Sequence, residues 1–178
     1  MAIYFPRGFN SGEPVRVVGG VTVVRGTLAR QAAELIVVVS ARTILGAPAS
    51  GVARAALAAF GVEVARRVRA LPRGAREVQV LAGDEAARRW LGFVELGGEP
   101  LGPAALADVV ERIAAFAAER SVREIALAPL GREASAARAL VEVLVARPAT
   151  PRWIVVVRER AQFEAASGGG AGSGPTSP

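Results

Sequence analysis

Two segments of this 178-residue chain are built alike, and they limit its fold more than any other feature. Residues 34–61 and 123–144 each run from an apolar segment, through a loop of small residues, into an alanine-rich stretch of helical character. A strand that ends in such a loop presents the free N–H groups and positive dipole end of the next helix at the edge of a sheet, where an anion docks. Two such turns side by side would form a phosphate cleft. That arrangement requires the strands at 35–39 and 124–128 to be parallel neighbours, because only then do both loops leave the same edge.

With 52% hydrophobic residues, the chain has enough apolar material for one domain with a sizeable core. Residues 1–163 are expected to form that domain, and 164–178, which collapse into Gly, Ser and Pro, a flexible tail. The apolar runs are broken by Arg or Glu before they reach membrane-spanning length, and no secretory leader pattern opens the sequence. A cytoplasmic location without membrane association is expected. The formal charge is +6, and all 22 basic residues are Arg. These are scattered rather than clustered beside aromatics, which make up only 5% of the chain, so a nucleic-acid partner is not favoured. The absence of Lys beside abundant Ala, Arg, Gly and Val looks like high-GC coding bias.

Strands are expected at 3–5, 15–18, 21–25, 35–39, 77–81, 90–96, 124–128 and 153–157, with a turn at Gly19-Gly20. Helices are expected at 28–33, 52–60, 62–70, around 84–88, and at 104–120 and 134–146. In the helix at 104–120, Leu106, Val109, Val110, Ile113, Phe116 and Ala117 form one apolar stripe. Strands first, then α and β in alternation, predict an α/β fold: a three-layer α/β/α sandwich around a mixed central sheet.

In order and spacing, these segments resemble a macro domain, a family best known for binding ADP-ribose. The family's strand ending in an Asn-Ala-Ala-Asn-type run corresponds to Val39-Ser40-Ala41-Arg42, and its first Gly-rich loop to residues 43–52. Its adenine-pocket Gly-Asp-Ile corresponds to Gly26-Thr27-Leu28, and its second phosphate loop to Pro129-Leu130-Gly131-Arg132. The resemblance covers residues 21–157 and lies in element order more than in motifs. Thr27 stands where the adenine-binding Asp would be, Val39 and Arg42 where the Asn residues would be, and the second loop is short. The amino-terminal domain of leucine aminopeptidases, a non-catalytic module, shares this architecture, and residues 89–128 are similar to its strand, loop, helix and strand. The resemblance implies a ligand site at Gly26, Thr27, Arg42, Gly46, Ser50, Gly51, Val52, Leu130, Gly131 and Arg132.

Several of these positions have a second reading. Gly51 and Val52 could set backbone N–H groups against a diphosphate, or Ser50-Gly51 could simply cap a helix. Arg42 and Arg132 could each grip a phosphate or carboxylate in two parallel hydrogen bonds, or face solvent as ordinary loop arginines. The run of Arg66, Arg69 and Arg73 reads as a solvated helix face, and Trp90 and Trp153 as packing residues. Tyr4, Phe5 and Phe9 could cover a sheet edge or a partner.

Catalysis is constrained more tightly than binding. Without His, Cys or Lys there is no imidazole base, thiolate, Schiff-base amine, common zinc site or Walker lysine. Asp84 and Glu85 are adjacent but sit in a short connecting segment, and no Ser lies in a nucleophile elbow. No catalytic residue, metal or cofactor is expected. The sequence therefore points to a binding module for ADP-ribose or a related nucleotide phosphate. A structural module with a closed pocket, used for self-association or a protein partner, and a hydrolase of ADP-ribosylated substrates are the alternatives.

Overall fold

The computed structural model describes residues 14–40, 79–81, 90–95, 102–129, 131, 133–148 and 150–168. Its frame is a seven-stranded sheet made of β1 (Val15–Val18), β2 (Val21–Arg25), β3 (Leu35–Ser40), β4 (Gln79–Leu81), β5 (Trp90–Glu95), β6 (Glu124–Leu127) and β7 (Arg152–Val157). The spatial order is β1-β2-β7-β6-β3-β5-β4. The five inner strands are mutually parallel, whereas β1 and β4 pair antiparallel at the two edges. As the sequence required, β3 and β6 are parallel neighbours, with Leu35 opposite Ile125 and Val37 opposite Leu127.

Three described helices lie on one face: α1 (Pro103–Glu119), α2 (Ala134–Val145) and α3 (Arg160–Ala166). Alternate strand residues, among them Val23, Leu35, Val37, Ile125 and Val155, join the apolar stripes of these helices in one core. The intervening residues Val24, Ile36, Val38, Ala126 and Ile154 point the other way and are equally buried. Both faces are therefore covered, which explains why the inner strands read as continuous apolar runs rather than as alternating ones. Trp90 and Trp153 are core residues, as expected. Among the described residues no helix is long and apolar enough to cross a membrane.

Local chemistry accounts for the element ends. Gly19 and Gly20 both adopt positive φ (54° and 90°) in the two-residue turn joining β1 to β2, the backbone a tight right-twisted hairpin needs. Helix α1 starts on Pro103 and stops where Ser121 turns left-handed: Ser121 N–H donates to the Ala118 carbonyl and Val122 N–H to that of Ala117, which fills the last carbonyls and buries Val122. At the amino end of the sheet, the Glu34 carboxylate accepts from the Arg123 N–H at 2.6 Å, tying the entries of β3 and β6 together.

Two expectations change. The helix at 28–33 is a single 3-10 turn, Leu28–Arg30, and Gln31 is already extended. So short a segment gains too few hydrogen bonds to offset nucleation, and the Gln31 side chain takes over instead, donating to the Thr27 carbonyl at 3.2 Å. In addition, α3 continues to Ala166, which is buried, so the packed chain runs past residue 163. Phe163 anchors this helix in the core while Arg16 of β1 lies over its ring and pairs with Glu164. The strand at 3–5, the helices at 52–60, 62–70 and 84–88, the stripe Arg66, Arg69 and Arg73, and Tyr4, Phe5 and Phe9 fall outside the described residues.

Candidate functional site

Parallel pairing sends the carboxyl ends of β2, β7, β6, β3 and β5 to one edge of the sheet. Three of the residues expected at the site are described there. Gly26 and Thr27 follow β2 and are half-buried; Gly131 lies between β6 and α2 and is exposed. Since β7 separates β2 from β6, the strands that carry the Gly26–Thr27 turn and the Gly131 loop are two spacings apart, about 10 Å. Arg42, Gly46, Ser50, Gly51, Val52, Leu130 and Arg132 lie outside the described residues.

The two described segments differ in what they leave available. Gly26 extends the β2–β7 ladder by one bond, donating its N–H to the Val157 carbonyl at 2.9 Å. Its amide is thus engaged. The Thr27 carbonyl accepts from the Arg30 N–H and from the Gln31 side chain, while the Thr27 hydroxyl makes no capping bond. Thr27 can therefore still offer its hydroxyl to a ligand. At the other segment, the amino end of the twelve-residue α2 follows Gly131, and no side chain caps it. The first N–H groups of such a helix have no intrahelical partners and carry its positive dipole end.

Glu133 modifies that site. One of its carboxylate oxygens lies 2.8 Å from where a Cβ on Gly131 would sit, so the carboxylate folds over the glycine and brings negative charge to the start of α2. Any side chain at position 131 would displace it.

Sequence reasoning missed two residues, Gln31 and Gln162. Both are buried, 4% and 6% exposed, and they are the only buried polar side chains in the described core. From α3, Gln162 donates its amide to the Gly131 carbonyl at 3.1 Å, just as Gln31 does to Thr27. Each glutamine pins one loop of the candidate site from beneath. The available signal was scarcity: glutamine occurs only at 31, 79 and 162.

No family model and no curated protein matches the sequence. Solved structures do match. The Oceanobacillus iheyensis macrodomain with ADP superposes with a TM-score of 0.68 at 16% identity, covering 89% of this chain and 94% of that one. The fold is a macrodomain fold. The Trypanosoma brucei macrodomain in complex with ADP-ribose gives a TM-score of 0.66 at 15% identity over 84% of this chain and 68% of that one. The macro domain of ganglioside induced differentiation associated protein 2 gives 0.67 at 13% identity, over 84% and 82%. The macrodomain fold is thus retained at an identity too low to carry residue-level chemistry across. Among the described residues, no group of His, Cys, Asp and Glu is placed to hold a metal ion.

Proposed function

We propose that this chain is a binding module for ADP-ribose or a closely related nucleoside diphosphate, and that it holds its ligand without turning it over. The observation that carries this reading is the position of the Gly26–Thr27 turn and the exposed Gly131 loop at the carboxyl edge of one parallel sheet, with β3 and β6 side by side. That edge is where open α/β sheets take their ligands. Structures of similar fold contain ADP and ADP-ribose, which supports the ligand class. The non-catalytic part rests on composition. With no His, Cys or Lys, only carboxylates and hydroxyls remain to move a proton, and Val39 and Arg42 stand where the family's ribose-orienting groups would be.

Calorimetric titration of the full chain with ADP-ribose, ADP and adenosine tests the proposal. Saturable binding of the two diphosphates, weakened by added salt and absent for adenosine, is the expected result. Failure of both diphosphates to bind would remove the binding assignment. Release of ADP-ribose from a modified protein should stay at background. Turnover abolished by substitutions within residues 40–52 would instead make the chain a hydrolase.

A further inference from the structure

Arginine pairing divides by place. Seven of the eleven described arginines are held in ion pairs with Asp or Glu. Among the four that are not, Arg123 lies at the amino end of β6, at the opposite edge from the candidate site. The other three flank a single turn. Arg25 closes β2, Arg30 ends the 3-10 turn after Thr27, and Arg158 directly follows β7. Strand register sets the backbones of two of them side by side: Arg25 is opposite Val157, and the Gly26 N–H bonds the Val157 carbonyl, so Arg158 leaves the sheet beside Gly26, with Arg30 four residues further along the chain. Arg30 and Arg158 are exposed and Arg25 is half-buried. Glu159, the acid next along the chain from Arg158, forms no ion pair among the described residues.

Three arginines at the ends of the segments that meet at one turn, none of them ion-paired among the described residues, make that turn locally positive, with the exposed Glu159 as the neighbouring acid. The planar fork of Arg matches phosphate oxygens in paired hydrogen bonds, and Thr27 adds a hydroxyl at the centre. The strands that carry this turn and the Gly131 loop are two spacings apart, about 10 Å, more than the span of a single phosphate. Resting on the nucleotide reading above, we infer that the ligand carries a second phosphate on its nucleoside end, bound at the Gly26–Thr27 turn by Arg25, Arg30 and Arg158, in addition to the diphosphate at the Gly131 side. A ribose phosphate supplies that chemistry from two sources: a free nucleotide phosphorylated on its ribose, or the adjoining unit of an ADP-ribose polymer.

The test is the affinity ratio between matched ligands, measured on the full chain. ADP and its 2′-phosphate differ only by the second phosphate, and the 2′-phosphate is expected to bind about tenfold tighter, the effect of one charge-assisted hydrogen bond. Arg30→Gln and Arg158→Gln should each shrink that ratio, and Glu159→Gln should enlarge it. Arg112→Gln removes an arginine paired to Asp108 on the outer side of α1 and should leave the ratio unchanged. ADP-ribose oligomers form a separate arm: a gain over monomeric ADP-ribose, lost in the same two variants and unmatched by the 2′-phosphate, assigns the second phosphate to a polymer. ADP binding with no gain from either source overturns this inference and leaves the nucleotide reading intact. No binding of any of these ligands overturns both.

Discussion

Gln31 and Gln162 each place a neutral amide under a loop carbonyl at the edge of the sheet, reaching Thr27 and Gly131 respectively. A buried amide that donates one good hydrogen bond contributes about 1 kcal/mol. Gln162→Ala should therefore lower unfolding free energy in urea by about that amount, and it should weaken ADP-ribose binding as well, because the Gly131 loop loses its tether. Gln162→Glu should cost more than the alanine change, since it buries a carboxylate that can only accept and aims it at a carbonyl. Glu133 acts in the opposite sense on the ligand. Its carboxylate lies over Gly131 at the start of α2, so Glu133→Gln should strengthen binding of ADP-ribose by a few-fold at low ionic strength and by less when salt screens the charge, as titrations at two salt concentrations would show.

At the scale of elements, the β1–β2 hairpin separates two costs that glycine usually hides together. A Cβ on Gly19 would come within 2.6 Å of a Val145 methyl at the end of α2, whereas a Cβ on Gly20 would meet nothing. Both residues have positive φ, so alanine at either position bears about 1–2 kcal/mol of backbone strain, but Gly19→Ala must displace Val145 as well. Thermal melts should rank Gly19→Ala clearly below Gly20→Ala. This turn was legible in the sequence because glycine pairs announce themselves, and the inner strands were legible because residues buried on both faces are apolar throughout. The ends of α1 fell within one residue of the reading for similar reasons: Pro103 and the close of the apolar stripe are local signals. The segment at 28–33 was misread because its six residues fit a helix in isolation, and what sets their conformation is a bond from the Gln31 side chain. Helix α3 was missed because it follows a strand at once and is held by distant partners, Gly131, Arg16 and the core around Phe163. For the candidate site, the strand-end glycines were readable, whereas the buried glutamines and the unpaired arginines emerge only when the topology brings separate segments to one edge.

For the whole molecule, the proposed binding edge belongs to the same sheet that carries the core. Leu127, the last residue of β6 and two residues before Pro129, is 1% exposed and packs with the helix-bearing core. Leu127→Ala should cost about 2–5 kcal/mol in chemical denaturation, and it should reduce ligand affinity even where the protein remains folded. The sheet order has a further consequence for how the protein is made. The strand between β2 and β6 is β7, which the ribosome delivers after the other six described strands, and it pairs Thr22 with Ile154 across most of the chain. Pairings of such long sequence separation close late, because the entropy of the intervening loop must be overcome before the contact stabilises anything. Until that insertion, the Gly26–Thr27 turn and the Gly131 loop belong to two separate halves of a sheet, and a nascent chain that stops short of β7 lacks the continuous edge across which the proposed nucleotide would lie.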